Sequence, residues 1–368
     1  MTQLEKSYQF KGSTYKVETK LEEVGNFLVC RWFKNGKLVS SNSLPLPGHL
    51  SFSEKEEELS TFHETEFAQL SSLFDLSAKL TQLKEAHSHY SLGTIFLERE
   101  LVEEAEEQFL LCLEFSSNFS QAYNSLGITQ LKIGKTESAI HSFKKAVKHD
   151  PNFADFFNNL GVAYLEKRNY QKAKENFLKA LQINPSYQDV YLNLGFANLE
   201  LSSHLADLET EPLLKEAKEY FQKAYQSAPK KDERIAQEIH KSFNWEEISR
   251  LYMLLKGSLN EKSSSKVRSW CDYFNLRFHY DKEMLDQKEV ENYLKHLSRE
   301  VGLGKNYPDL KNALSLAYLY YSHYLLQLAK IEFLKARSFE NTKEKAFFNQ
   351  KIAKSVEKEL NQLLDYAD

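Results

Sequence analysis

The apolar and polar positions of this chain form one long regular stretch between two unlike ends. From about residue 86 the pair Leu-Gly recurs every 34 residues, at Leu92-Gly93, Leu126-Gly127, Leu160-Gly161 and Leu194-Gly195. Twelve residues after the first three glycines stands an alanine (Ala105, Ala139, Ala173), four further on a phenylalanine (Phe109, Phe143, Phe177), and three further again a small residue (Cys112, Ala146, Ala180). An aromatic precedes three of the glycines by four positions (Tyr123, Phe157, Tyr191), and Pro151 and Pro185 close two of the units. Self-similarity at such a period predicts stacked units of secondary structure. Glycine and alanine suit points where two helices cross, because a larger side chain would hold the backbones apart. Leucine and phenylalanine fill the space between, and a proline just past the second helix ends it.

The register loosens towards both ends. In the fourth unit the second-helix residues arrive ten positions late, as Ala217, Phe221, Ala224 and Pro229, which predicts an enlarged, acidic inter-helix turn at SSHLADLETEP. Residues 231–306 have helical periodicity without the Leu-Gly register; they are either hairpins that continue the stack or a bend between two stacks. Residues 307–368 predict a degenerate further unit, with Leu314-Ser315 in the Leu-Gly place and Ala329, Phe333 and Ala336 in the second helix, followed by a charged capping helix. Residues 1–44 differ altogether. Runs rich in Val, Thr, Phe and Tyr flank turns at Gly12 and Asn35-Gly36, which predicts a three- or four-stranded antiparallel meander. Residues 45–85 then supply a linker and a leading helix from about Ser53.

These residues resemble the tetratricopeptide repeat, best in NSLGITQLKIGKTESAIHSFKKAVKHDPNF and NNLGVAYLEKRNYQKAKENFLKALQINPSY. The first unit departs from that family with His89, Cys112 and Ser117 where an aromatic, an alanine and a proline are usual. The resemblance implies a mainly α fold: a helical solenoid (an αα superhelix) of four units over 86–230, here preceded by a small β-meander. It also implies that the first helix of each unit lines a concave face. With each glycine counted as the eighth residue, the inward positions give Asn124, Asp155, Asn158, Asn159, Asp189 and Asn193, then Ile128, Val162 and Phe196, then Lys132, Glu166 and Glu200. Asn159 and Asn193 resemble the asparagine ladder with which some repeat superhelices hold an extended backbone, a task that suits an amide because it both donates and accepts. The alternative is that these amides bond within the solenoid. The lysines and arginine of the carboxylate clamp found in chaperone-binding members are mostly missing. The acidic inner edge would favour a neutral or basic guest.

Composition adds exclusions. The 368 residues carry a formal charge of −4, which gives no footprint for nucleic acid. Twelve glycines and seven prolines are few, in keeping with long helices. No run of apolar residues reaches the length of a membrane span, and MTQLEKSYQF has no apolar segment of a signal peptide. Cys30, Cys112 and Cys271 are scattered, as suits a reducing, cytoplasmic setting. No phosphate loop, nucleophile elbow or zinc-helix motif is present, so neither a catalytic site nor a cofactor is expected. His87 and His89 diverge on a helix, and Cys112 occupies a packing position. The expectation is a scaffold that holds a protein or peptide in its groove. The other reading is an assembly protein that self-associates through the meander or the C-terminal helices.

Overall fold

The computed structural model describes residues 3–22, 26–82, 84–203, 207–226, 233–241 and 244–259, with isolated helical positions between 294 and 358. Most of the 260–306 block, the further unit expected after 307 and the capping helix lie outside the described residues. The described chain divides into two compact units, one built from Met1–Lys84 with Thr94–Leu101, the other from Glu85–Gly93 with Val102–Ser263.

In the first unit four strands follow one another, β1 (Gln3–Phe10), β2 (Ser13–Glu22), β3 (Phe27–Lys34) and β4 (Lys37–Pro45), in an antiparallel sheet of order β1-β2-β3-β4. Two-residue turns join β1 to β2 and β3 to β4. They need positive φ at both central residues, and Lys11-Gly12 (47° and 79°) and Asn35-Gly36 (49° and 80°) supply it. Asn35 tightens its turn by accepting the Thr14 N–H at 2.8 Å. A lone meander buries too little to be stable. Helix α1 (Phe52–Leu80) covers one face of it, starting at Ser51 with a reciprocal capping box to Glu54. Phe74, fully buried, sits among Phe10, Tyr15 and Phe96 at ring distances of 4.5, 4.4 and 5.7 Å. The other face carries charges, with Glu18 near both Lys16 and Arg31.

In the second unit the helices pair as the register predicts. Helix α2 (Ala86–Glu98) begins the series with α3 (Val102–Phe115), followed by α4 (Ser120–Lys132) with α5 (Thr136–His149), α6 (Ala154–Glu166) with α7 (Tyr170–Ile183), and α8 (Gln188–Ser202) with α9 (Asp207–Gln226). Each glycine faces the buried phenylalanine of its own second helix. A Cβ built on Gly93, Gly127, Gly161 or Gly195 would lie 2.7, 2.6, 2.5 or 2.3 Å from Phe109, Phe143, Phe177 or Phe221. Real Cβ atoms do not come that close, so the glycine is what lets the two helices cross over a full aromatic ring. One core runs through α5, α6, α7 and α8, from Ala139 and Phe143 through Phe177 to Leu194.

The fourth unit corrects one expectation. Its extra residues from Asp207 onward do not enlarge a loop. Among the described residues they lengthen the second helix, so that α9 has 20 residues where α5 and α7 have 14. Pro212 is its sixth residue, where the missing N–H removes only one bond of the helix. Beyond it come α10 (Glu233–Lys241) and α11 (Trp245–Leu259), which pack against α9 and, for α11, against α8 as well. The described part of the 231–306 block therefore continues the stack.

Candidate functional site

The first helices of successive units touch each other, α4 with α6 and α6 with α8. Among the described elements the second helices α5 and α7 stand further apart, so α4, α6 and α8 form the inner wall of the curve. The residues expected in the groove lie along this wall, and the structure treats them unequally.

The asparagines bond to one another across unit boundaries. Asn159 donates its amide N–H to the side-chain oxygen of Asn124 at 2.9 Å, and Asn193 does the same to Asn158 at 2.9 Å. The pattern is one device used twice: an acceptor three residues before the glycine of one unit, a donor two residues before the glycine of the next. Asn158 is buried, 8% exposed; the other three are half-buried. These amides hold adjacent helices together. Each pair uses one donor and one acceptor and leaves further amide valences on the wall.

The apolar row is mostly spent on packing. Ile128 and Val162 are half-buried against the core of the stack. Phe196 stacks on Tyr252 of α11, ring centroids 4.6 Å apart and planes 19° apart. That face of Phe196 is therefore covered by the chain itself, and nothing in the Leu-Gly register announced Tyr252.

The acidic positions remain outward. Asp155, Asp189 and Glu166 are exposed and Glu200 is half-buried. Tyr170 donates its hydroxyl to Glu200 at 3.4 Å. Asp155 and Asp189 occupy equivalent places on α6 and α8, the first helices of consecutive units. Partial burial, and then the charge of Asp155, raise the pKa of Asp189 above the ordinary carboxylate value. Tyr187 gives its hydroxyl to Asp155; burial first, then that bond and the two carboxylates, push its phenol well up. Tyr187 was not singled out from the sequence, although it is the one hydroxyl at a place where the preceding units have Phe119 and Phe153. Both aspartates also sit in the first turn of a helix, where negative charge suits the helix dipole. Among the described residues no lysine or arginine forms an ion pair with either one.

The remaining candidates are packing residues. His89 is fully buried and its Nδ1 lies 2.8 Å from the Gln108 side-chain oxygen. Cys112 is fully buried, and burial pushes its thiol up to about 12. Asn198, also fully buried, has neither side-chain atom in a hydrogen bond of normal geometry. Among the described residues no set of three or more His, Cys, Asp and Glu side chains could hold a metal ion, and no helix is long and apolar enough to cross a membrane.

Comparison with known proteins agrees with the repeat geometry. Two family models match, a tetratricopeptide repeat over residues 154–187 and a TPR repeat over residues 130–168. No curated protein matches the sequence. Similar solved structures include MamA, 21% identical, covering 51% of this chain and 99% of that one at a TM-score of 0.39. PilF of Pseudomonas aeruginosa is 21% identical and covers 61% and 95% at 0.38. The second TPR domain of human RPAP3, solved in complex with an HSP70 peptide, is 22% identical and covers 35% and 91% at 0.28. The two family models, matched within residues 130–187, together with the four glycine-to-phenylalanine crossings show that this chain carries tetratricopeptide repeats, in general terms a scaffold for contacts between proteins.

Proposed function

We propose that this protein holds an extended segment of another protein, neutral or basic in character, against the inner wall of α4, α6 and α8. The observation that carries the reading is the coupled pair Asp155 and Asp189. Asp155 and Asp189 stand at equivalent places on the neighbouring helices α6 and α8, partial burial and then the charge of Asp155 raise the pKa of Asp189, and among the described residues no lysine or arginine is paired to either. Like charges held together cost free energy, and a guest ammonium or guanidinium relieves that cost on binding. Glu166 and Glu200 extend the same sign along the edge. The asparagine pairs set the spacing of the helices, and their remaining valences serve the guest backbone as a secondary role.

Dye-labelled synthetic peptides of equal length and graded charge, titrated with the full chain and followed by fluorescence anisotropy, test this. The expected order of affinity is basic, then neutral, then acidic. The preference weakens as salt rises, and replacing both aspartates (Asp155→Asn with Asp189→Asn) weakens basic peptides most. Preference for acidic peptides, or a double variant that binds basic peptides unchanged, refutes it.

A further inference from the structure

The repeat register does not stop at the fourth unit. Measured against the chain's own pattern, α11 has Trp245 in the place of Tyr123, Phe157 and Tyr191, and Ile248 in the place of Leu126, Leu160 and Leu194. Ser249 stands where the glycines do, and Tyr252 where Tyr164 does. The packing follows suit. Helix α11 lies against both helices of the preceding unit, α8 and α9, as α6 lies against α4 and α5. Tyr252 comes within 5.9 Å of the Phe221 ring, and Tyr164 shares a core cluster with the equivalent Phe143. Ile248, Leu251 and Leu255 are buried with the fourth unit. Helix α11 is thus the first helix of a fifth unit, set off from the fourth by the short α10.

This placement gives α11 an inner face with a different chemistry. Leu254 occupies the place that Lys132, Glu166 and Glu200 hold in the units before it, and it is 44% exposed. Met253 occupies the place of Leu165 and Leu199. Those two leucines pack into the stack, whereas Met253 is 63% exposed. Arg250, in the place of Val162 and Phe196, reaches towards Glu238 of α10 at 3.9 Å. An edge that is charged along α6 and α8 therefore ends in two adjacent, exposed apolar side chains.

We propose, building on the inner-wall reading above, that α11 extends the binding surface and that Met253 and Leu254 anchor a large apolar side chain of the guest. The guest is then a segment of another protein that places lysine or arginine against Asp155 and Asp189 and an apolar residue further along. Packed helices stand about 8–10 Å apart, and in the repeat register Met253 and Leu254 lie ten or eleven positions further along their helix than the aspartates do along theirs, about 16 Å at ~1.5 Å per residue, so the way from the aspartate pair to the anchor is roughly 20 Å. An extended chain covers that distance in about six residues at ~3.3 Å each.

Two dye-labelled peptides of Lys, Gly and Ser, differing in a single Leu or Ala placed about six residues from the lysines, are titrated with the full chain and read by anisotropy. The leucine peptide binds about tenfold more tightly, as burial of one such side chain provides. A variant with Met253→Gln and Leu254→Gln, shown to be folded by circular dichroism, binds the two peptides alike. Equal affinity of the native chain for both peptides, with the paired aspartate variant still weakening them, overturns the α11 anchor and leaves the inner-wall reading standing. Binding that neither variant changes, or no binding of either peptide, overturns both.

Discussion

Replacing Gly161 by alanine sets two effects of known sign against each other. Alanine is the better helix former, by about 1 kcal/mol, and Gly161 lies inside α6 where that gain applies. Against it stands the Phe177 ring: the new Cβ would lie 2.5, 2.7 and 2.9 Å from three of its carbons. Ordinary contact begins near 3.4 Å, so ring and helix must separate by the better part of an ångström. Phe177, Ala173 and Ala180 are all fully buried on one face of α7, so the ring can move only by displacing packed neighbours. Overpacking of this kind costs about 1–3 kcal/mol or more, and four such crossings within one repeat protein place this one at the upper end. The net expectation is a loss of roughly 1–2 kcal/mol. Because each unit is stabilised by its neighbours, the loss should spread to the interfaces of α6 with α4 and α8. Urea unfolding followed by circular dichroism measures it. A double-mutant cycle with Phe177→Leu isolates the cause, since a smaller side chain at 177 makes room for the methyl group and Gly161→Ala then costs less. If Gly161→Ala leaves the midpoint unchanged or raises it, the close crossing does not limit this helix pair.

Three further outcomes follow from the structure. Asn193→Ala removes the donor to buried Asn158 and should cost about 1 kcal/mol or more by urea unfolding; adding Asn158→Ala should then cost less than it does alone, and simple additivity would show that the pair does not couple the two helices. His63 is nearly fully buried between α1 and the sheet, with its Nδ1 3.0 Å from the Thr19 hydroxyl, and burial lowers its pKa. The unfolded chain takes up this proton near pH 6.5 and the folded one only at lower pH. The contribution is therefore whole above about 6.5 and is lost as pH falls through the folded value; melts of His63→Gln should lack this slope, and an unchanged slope assigns it elsewhere. Asp155→Asn should bring the pKa of Asp189 back towards the ordinary carboxylate value in an NMR titration, and a constant value would show that the two do not share a site.

The spacing of Gly, Ala and Phe at 34-residue intervals was enough to place the helix pairs from α4 to α8. That information is local: a residue without a side chain must stand opposite a large ring, and both members of each crossing lie within one unit. The turn at Asn35-Gly36 was legible for the same reason, since few residues other than Asn and Gly take positive φ in succession. Periodicity tells which face of a helix is covered and is silent about what covers it. Asn159 and Asn193 could have faced a guest or a neighbour, and only the stacked geometry brought them within 2.9 Å of Asn124 and Asn158. Phe196 sits at an inward position by count, yet its ring face belongs to Tyr252, 56 residues further along the chain. The ten extra residues of the fourth unit suggested a loop because insertions in repeats map to loops; the structure winds those from Asp207 onward into α9, whose Leu214 packs against the core shared with α10 and α11. The sequence by itself determined that this is a repeat protein and where its helices cross. Which inner residues are spent on packing and which stay open was decided by contacts between units, whose partners lie 35 or more residues apart and leave no mark on any local pattern.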